Sequence, residues 1–138
     1  MSVTIGDIRY VDPSQLKQWI KQGNVDSLGK KVLVVDVRGH DYIGGHITSS
    51  VNLPYRSWSN EVMEQLLQMI HSDDIGIVVF HCAQSQQRGP SAALKFMRFL
   101  ETDDSVAVRV LRGGFIEWQS LYRDDPSLID GYIADLWE

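Results

Sequence analysis

His81 and Cys82 are followed by five residues and then by Arg88, in the stretch HCAQSQQRGP. Cys82 is the only cysteine of the chain. It stands where an apolar run, 75–80, gives way to Gly89-Pro90 and a helical pattern. A thiolate is a nucleophile, and the planar fork of an arginine matches a tetrahedral oxyanion through two parallel hydrogen bonds. If the strand ends near Cys82 and the helix begins near Gly89, residues 83–88 must curl between them. The helix start brings unpaired N–H groups and a partial positive charge. A loop curled over it aims further N–H groups inward and makes a cradle for an anion. Cys82 and Arg88 could then bind an oxyanion and attack its central atom. A second reading stands beside this one: a free cysteine is among the most buried residue types and often does no more than pack.

The remaining loop residues are a small one, Ala83, three neutral ones, Gln84, Gln86 and Gln87, and Ser85, whose hydroxyl could donate to the thiolate or to a leaving group. No carboxylate lies inside the loop. A proton donor must therefore come from Asp36, from Asp41 or from the substrate itself. Asp36 closes a strand and can equally brace the loop. His81 can steady the loop through backbone hydrogen bonds or, if protonated, favour the thiolate.

Elements able to position these groups follow from the pattern. Residues 32–35 and 75–80 are apolar, β-branched runs without alternation, as in strands of a parallel sheet buried on both faces. TIGDIRYV, residues 50–53 and SVAVRVL supply further strands. Helices are expected after Asp12-Pro13, with Asp12 as cap and Leu16, Trp19 and Ile20 inward, and over SNEVMEQLLQMIHS, with Val62, Leu66, Met69 and Ile70 as its apolar stripe. Two more are expected over GPSAALKFMRFLE, with Ala92, Ala93, Phe96, Met97 and Leu100 inward, and within RGGFIEWQSLY after the turn at Gly113-Gly114, carrying Phe115, Trp118 and Tyr122, with Phe115 and Trp118 in the core. Alternating strands and helices indicate an α/β fold with a mainly parallel sheet, whose ligands bind beyond the carboxyl ends of the strands. The loops after Val35, Phe80 and Leu111 should meet there. Arg112 could add positive field or be a plain exposed turn arginine, and Tyr42 and Trp58 could frame a pocket. The tail, DDPSLIDGYIADLWE, reads as an extension across the body, anchored by Ile133, Leu136 and Trp137.

The 138 residues suffice for one domain, 1–138, with a core over about 5–125 and a C-terminal extension over 126–138. Hydrophobic residues make up 43% and charged ones 22%, as in globular proteins. No apolar run approaches the roughly 18 residues of a membrane span, and the N-terminus lacks the pattern of a signal peptide. A lone cysteine forms no internal disulfide, which suits a reducing compartment: the cytoplasm, or the nucleus as well. The net charge of −5 and the absence of a basic block speak against nucleic acid. The same charge means that an anion site needs local positive potential. The four histidines have no metal-ligand spacing, so no metal is expected.

DVRGHDYIGGHI (36–47), VNLP (51–54), HCAQSQQR (81–88) and LRGGFIEW (111–118) together resemble the rhodanese superfamily, in order, over about residues 5–125. His-Cys-x5-Arg is similar to the signature of cysteine-dependent phosphatases. Within the superfamily it resembles the small single-domain M-phase inducer (cell-division-cycle)-like phosphatases and the eukaryotic arsenate reductases. Those members have the longer loop, whereas sulfurtransferases have a shorter one sized for a persulfide. The resemblance implies a rhodanese-like three-layer fold, with helices flanking a mainly parallel central sheet. It implies Cys82 as nucleophile, Arg88 as oxyanion clamp and the N–H groups of residues 83–88 as the cradle. Asp36 and Arg38 match the strand-end pair of the family, and His46 matches its loop histidine, in a structural role. Gln86 and Gln87 depart from the acidic loop residues of the large cell-cycle phosphatases, which puts their acid mechanism and their kinase substrates in question.

The expected activity is hydrolysis of phosphate monoesters, phosphotyrosine or phosphoprotein, through a phosphocysteine and without metal or organic cofactor. The alternatives are arsenate reduction with an external glutathione or glutaredoxin thiol, thiosulfate sulfur transfer, and a non-catalytic binding or sensor module. The partner is thus a phosphorylated protein or small phosphate ester, or arsenate with a thiol donor, and neither nucleic acid nor a membrane.

Overall fold

The buried runs form the middle of a parallel sheet. The computed structural model describes residues 3–101 and 105–137. Met1, Ser2, residues 102–104 and Glu138, all within the expected domain span, lie outside the described residues. Strands β1 (Arg9–Val11), β2 (Lys31–Asp36), β4 (Val51–Asn52), β5 (Ile75–His81) and β6 (Ala107–Leu111) make one sheet in the order β1-β6-β5-β2-β4, every pairing parallel. A two-residue β3 (His46–Ile47) pairs antiparallel with β7 (Ile129–Asp130). Helices α1 (Pro13–Lys21) and α4 (Gly114–Tyr122) cover one face, and α2 (Asn60–Ser72) and α3 (Arg88–Leu100) the other. None of them is long and apolar enough to cross a membrane.

The period of two in the central strands divides the core. Val32, Val34, Ile77 and Val79 pack with Leu16, Trp19, Phe115 and Trp118. Val35, Val78 and Phe80 pack with Leu66, Ile70, Ala92 and Phe96. Both faces are apolar, which is why these strands read as continuous runs. Cys82 belongs to the second cluster and is 3% exposed.

Several local expectations change. The first segment is a single 3-10 turn, Ile5–Asp7, before the short β1. Asp12 makes no capping hydrogen bond; its carboxylate pairs with Arg112. In α2 the buried residues are Met63, Leu66 and Ile70, so the stripe is rotated by one position toward Met63 from Val62 and Met69. Ser59 caps that helix through its hydroxyl, which accepts from the Val62 N–H. The tail is fastened by Leu128 and Ile129, both buried, and by the expected Trp137 against Phe115, whereas Ile133 and Leu136 stay about half exposed. Backbone pairing of β7 with β3 decides this, because it turns Ile129 inward beside Ile47.

Candidate active site

β5 is the central strand, and its carboxyl end delivers Cys82 above the sheet, just ahead of α3. The chain closes the loop by placing Ser85 in the left-handed region at φ 56°. For a residue with a side chain this is uncommon, and such conformations gather at functional sites. Two N–H groups then converge on the sulfur. Ser85 N donates to Sγ at 3.2 Å and Gly89 N, in the first turn of α3, at 3.4 Å. The second is one of the donors that a helix start leaves without a partner in its own helix. Above the sulfur lies a depression of about 330 Å³, lined by Cys82, Ala83, Gln84, Gln86, Gln87 and Arg88 from the loop and by Ile116 from α4. Ser85 contributes its N–H, not its hydroxyl: Oγ is buried and has no hydrogen-bond partner among the described residues.

Each of the other three motifs touches this loop or its supports. The start of α4 holds the cradle from behind, with Phe115 N donating to the Cys82 carbonyl at 3.0 Å and Ile116 N to that of Ala83 at 2.9 Å. With their carbonyls held outward, the loop peptides present N–H groups inward. Gly114, at φ 61°, permits this approach, since a Cβ there would overlap the carbonyl oxygens of Cys82 and Ala83. Gly114→Ala is therefore expected to lower the melting temperature and to weaken inorganic phosphate binding together. The left-handed backbone alone costs about 1–2 kcal/mol for a residue with a Cβ. Thermal denaturation with and without phosphate checks this.

Asp36 and Arg38 form a buried bidentate pair, with Arg38 Nε donating to Asp36 Oδ1 at 3.1 Å and Nη2 to Oδ2 at 2.8 Å and both residues at most 1% exposed. Arg38 also donates to the Gly45 carbonyl at 2.9 Å, and Asn52 Nδ2 donates to the carbonyls of Asp36 and Arg38. The pair thus organises segment 39–45 and stands behind the cradle. Asp41, on that segment, meets Arg88 in a bidentate pair at 2.7 and 2.6 Å. Hydrogen bonds from Arg88 hold the Asp41 carboxyl down at about 2, assisted by the Arg88 charge and opposed by partial burial. Asp41 is consequently ionised at neutral pH and is not a ready proton donor in this state, and Asp36 is buried and turned to Arg38, away from the depression. The Asp41–Arg88 pairing is what the sequence reading missed; a carboxylate forty-seven positions away carries no local signal of it.

His81 is fully buried, and Nδ1 lies 3.1 Å from the Cys82 carbonyl. Burial pushes its imidazole below the ordinary range, against the pull of Asp36, so it braces the turn as a neutral ring and supplies no charge to the thiol. His46 lies in β3, 3.6 Å from Asp130 and stacked on Tyr42. Arg112 is drawn away from the site: it pairs with Asp12 at 3.0 Å and lies over Tyr10. Trp58 is core, packed on Phe80 and Phe96, not a pocket wall. Among the described residues no cluster of His, Cys, Asp or Glu could hold a metal ion.

The rhodanese-like domain family matches residues 12–121. The chain is 42% identical to the CDC25-like phosphatase YCH1 of Saccharomyces cerevisiae, over 99% of this chain and 98% of that protein. The structure of Ygr203w, described as a yeast protein tyrosine phosphatase of the rhodanese family, superposes with a TM-score of 0.88 at 40% identity, covering 99% of this chain and all of the other. The As-Sb reductase of Leishmania major superposes with a TM-score of 0.76 at 33% identity, covering 89% of this chain and 85% of that one. A parallel three-layer fold, a Cys-x5-Arg cradle at the end of its central strand and these likenesses agree: the chain belongs to the rhodanese-like domain family.

Proposed function

We propose that the protein is a cysteine-dependent phosphatase of phosphate monoesters, with phosphotyrosine or another phosphoprotein ester as substrate. One observation carries the reading: two backbone N–H groups converge on Cys82 Sγ beneath an open depression that Arg88 borders. A tetrahedral phosphoryl group placed over the sulfur would find the loop N–H groups and the guanidinium around its equatorial oxygens. Sγ attacks phosphorus in line as the P–O bond to the alcohol breaks, giving a phosphocysteine. Water then cleaves the S–P bond and releases phosphate. With Asp36 and Asp41 both engaged by arginines, the proton that leaves with the alcohol comes from the monoanionic ester itself.

The likeness to an As-Sb reductase favours a second reading, in which Sγ attacks arsenate. Cys82 is the only cysteine, so two external thiols of the glutathione or glutaredoxin class must supply the two electrons: the first displaces arsenite and leaves a mixed disulfide on Cys82, and the second releases that disulfide and restores the thiolate. Three parallel assays on the wild-type protein separate the readings: aryl-phosphate hydrolysis, arsenite formation with glutathione and glutaredoxin, and sulfur transfer from thiosulfate to cyanide. Aryl-phosphate turnover as the dominant activity is expected. Arsenite formation without it would move the reading to the reductase, and thiocyanate formation alone would move it to sulfur transfer.

The guanidinium has its own test. Asp41 takes two of the five N–H donors of Arg88, and the others remain for an oxyanion. Arg88→Lys keeps the charge and removes the fork. It is expected to lower kcat/KM for aryl phosphate by about 30- to 1,000-fold, that is ~2–4 kcal/mol of transition-state stabilisation. Near-wild-type turnover in this variant would count against the cradle.

A further inference from the structure

A second depression, of about 260 Å³, opens beside the cradle and is mostly apolar. It is lined by Ile43, Ile116, Leu136 and Trp137 and by Arg38, Asp41 and Ala83, the last two on the side toward the loop. Ala83 and Ile116 line the cradle as well, so the two depressions share a rim, and Asp41 is the residue that holds Arg88. Ile43 is 56% exposed, Leu136 52% and Ile116 38%. Single exposed apolar side chains are ordinary, but three gathered around one concavity next to reactive groups mark a binding surface.

The far wall is held in place by specific contacts. Trp137 Nε1 donates to the Gly44 carbonyl at 2.9 Å, and its ring stands edge-on to Phe115 with centroids 5.5 Å apart. Gly44 is at φ 78°, and a Cβ there would come within 2.6 Å of the indole nitrogen, so the glycine leaves the space that the tryptophan fills. Ile133 N donates to the same Gly44 carbonyl, and the chain ahead of it is anchored by the pairing of β7 with β3. This wall belongs to residues 133–137, outside the span 12–121 that the rhodanese-like family matches.

We infer that this groove is an aromatic subsite, which receives the ring of an aryl phosphate while its phosphoryl group occupies the Cys82 cradle. The inference rests on the phosphatase reading and names its substrate class. Continuity with the cradle sets the occupant, because a ring joined to phosphorus through one oxygen reaches only a surface that shares the cradle's rim. Size agrees: a cavity of about 150 Å³ holds a benzene molecule. Chemistry agrees too, since the walls are mostly aliphatic and indole surface, and the two charged side chains among them, Arg38 and Asp41, are already paired with Asp36 and Arg88. A free inorganic oxyanion makes no use of this groove. The C-terminal segment thereby sets the preference, from outside the span 12–121 that the rhodanese-like family matches.

Binding of two non-hydrolysable probes, phenylphosphonate and methylphosphonate, to the full chain tests this by calorimetry. Wild type is expected to bind the phenyl compound about tenfold more tightly, the scale of burying one small apolar face. In Leu136→Ala, and separately in Ile43→Ala, that ratio should fall to about threefold or less while methylphosphonate affinity stays unchanged. Both side chains are half exposed, so neither variant threatens the fold. Equal affinity for the two probes in wild type, or a ratio untouched by both variants, overturns the subsite. The phosphatase reading fails separately, through absence of phenyl phosphate turnover by a protein that still prefers the phenyl probe.

Discussion

Replacing Cys82 by serine is expected to abolish aryl-phosphate hydrolysis, by about 10⁴-fold or more, while the protein stays folded and still binds inorganic phosphate. The expectation follows from what the substitution leaves intact. The serine hydroxyl is smaller than the thiol and can accept the same N–H bonds from Ser85 and Gly89, so the loop keeps its shape. Position 82 is 3% exposed and packs in the cluster of Phe80 and Phe96, where one smaller atom leaves a minor gap. A hydroxyl at neutral pH is a far poorer nucleophile than a thiolate, and no neighbour is placed to take its proton: His81 faces the Cys82 carbonyl and Asp41 faces Arg88. Steady-state hydrolysis, paired with phosphate binding by calorimetry and a melting curve, separates loss of the nucleophile from loss of the fold. Turnover that survives in the serine variant removes Cys82 from the chemistry and returns it to the role of a packing residue. Mass spectrometry of wild type quenched during turnover should show a phosphate adduct on the peptide holding Cys82.

The second large effect concerns stability. Asp36→Asn is expected to destabilise the fold by about 3–5 kcal/mol, the range for removing one partner of a buried ion pair. Arg38 is 1% exposed, and without the carboxylate its guanidinium remains buried among carbonyls and the rings of Phe115 and Tyr42. The buried charge, not the lost bond, makes this change so costly. A double variant, Asp36→Asn with Arg38→Met, should therefore recover part of the loss in urea denaturation. Because Arg38 also holds the Gly45 carbonyl, and with it the segment that carries Asp41, the single variant should bind phosphate weakly even when folded. A loss below about 1 kcal/mol would mean that the pair is not a keystone of this end of the sheet.

How much of this was legible before folding depends on the range of the signal. Residues 32–35 and 75–80 read as strands because they are apolar on both faces, and they became the paired centre of the sheet. The helix after Cys82 read clearly from its small and apolar residues, and only its first residue, Arg88, moved into it. Short elements misled. Two-residue strands and 3-10 turns have too few positions for periodicity to show, so the β3–β7 pair was invisible, and of the three expected tail anchors Trp137 holds while Ile133 and Leu136 stay half exposed. In the site, residue types announced Cys82, Arg88 and Asp36 as candidates, and the resemblance to the rhodanese superfamily added Arg38 as the partner of Asp36. Ile116 and Trp137 carried no such mark, being apolar residues in apolar patterns.

The sequence by itself determined the parts: a nucleophile-type side chain and a fork six positions apart, a loop of fixed length between strand and helix, and the layered α/β class that puts such loops at one end of the sheet. Covalent spacing and hydrophobic period are local properties, and they are written in the chain. Only the tertiary structure decided what each part faces. It set Arg88 against Asp41, turned the Ser85 N–H and not its hydroxyl toward the sulfur, kept His81 neutral by burial and drew Arg112 off to Asp12. It also brought Leu136 and Trp137 to the groove beside the cradle. Those outcomes come from contacts between segments up to about a hundred residues apart, where packing and hydrogen-bond geometry choose among partners that residue type alone leaves equivalent.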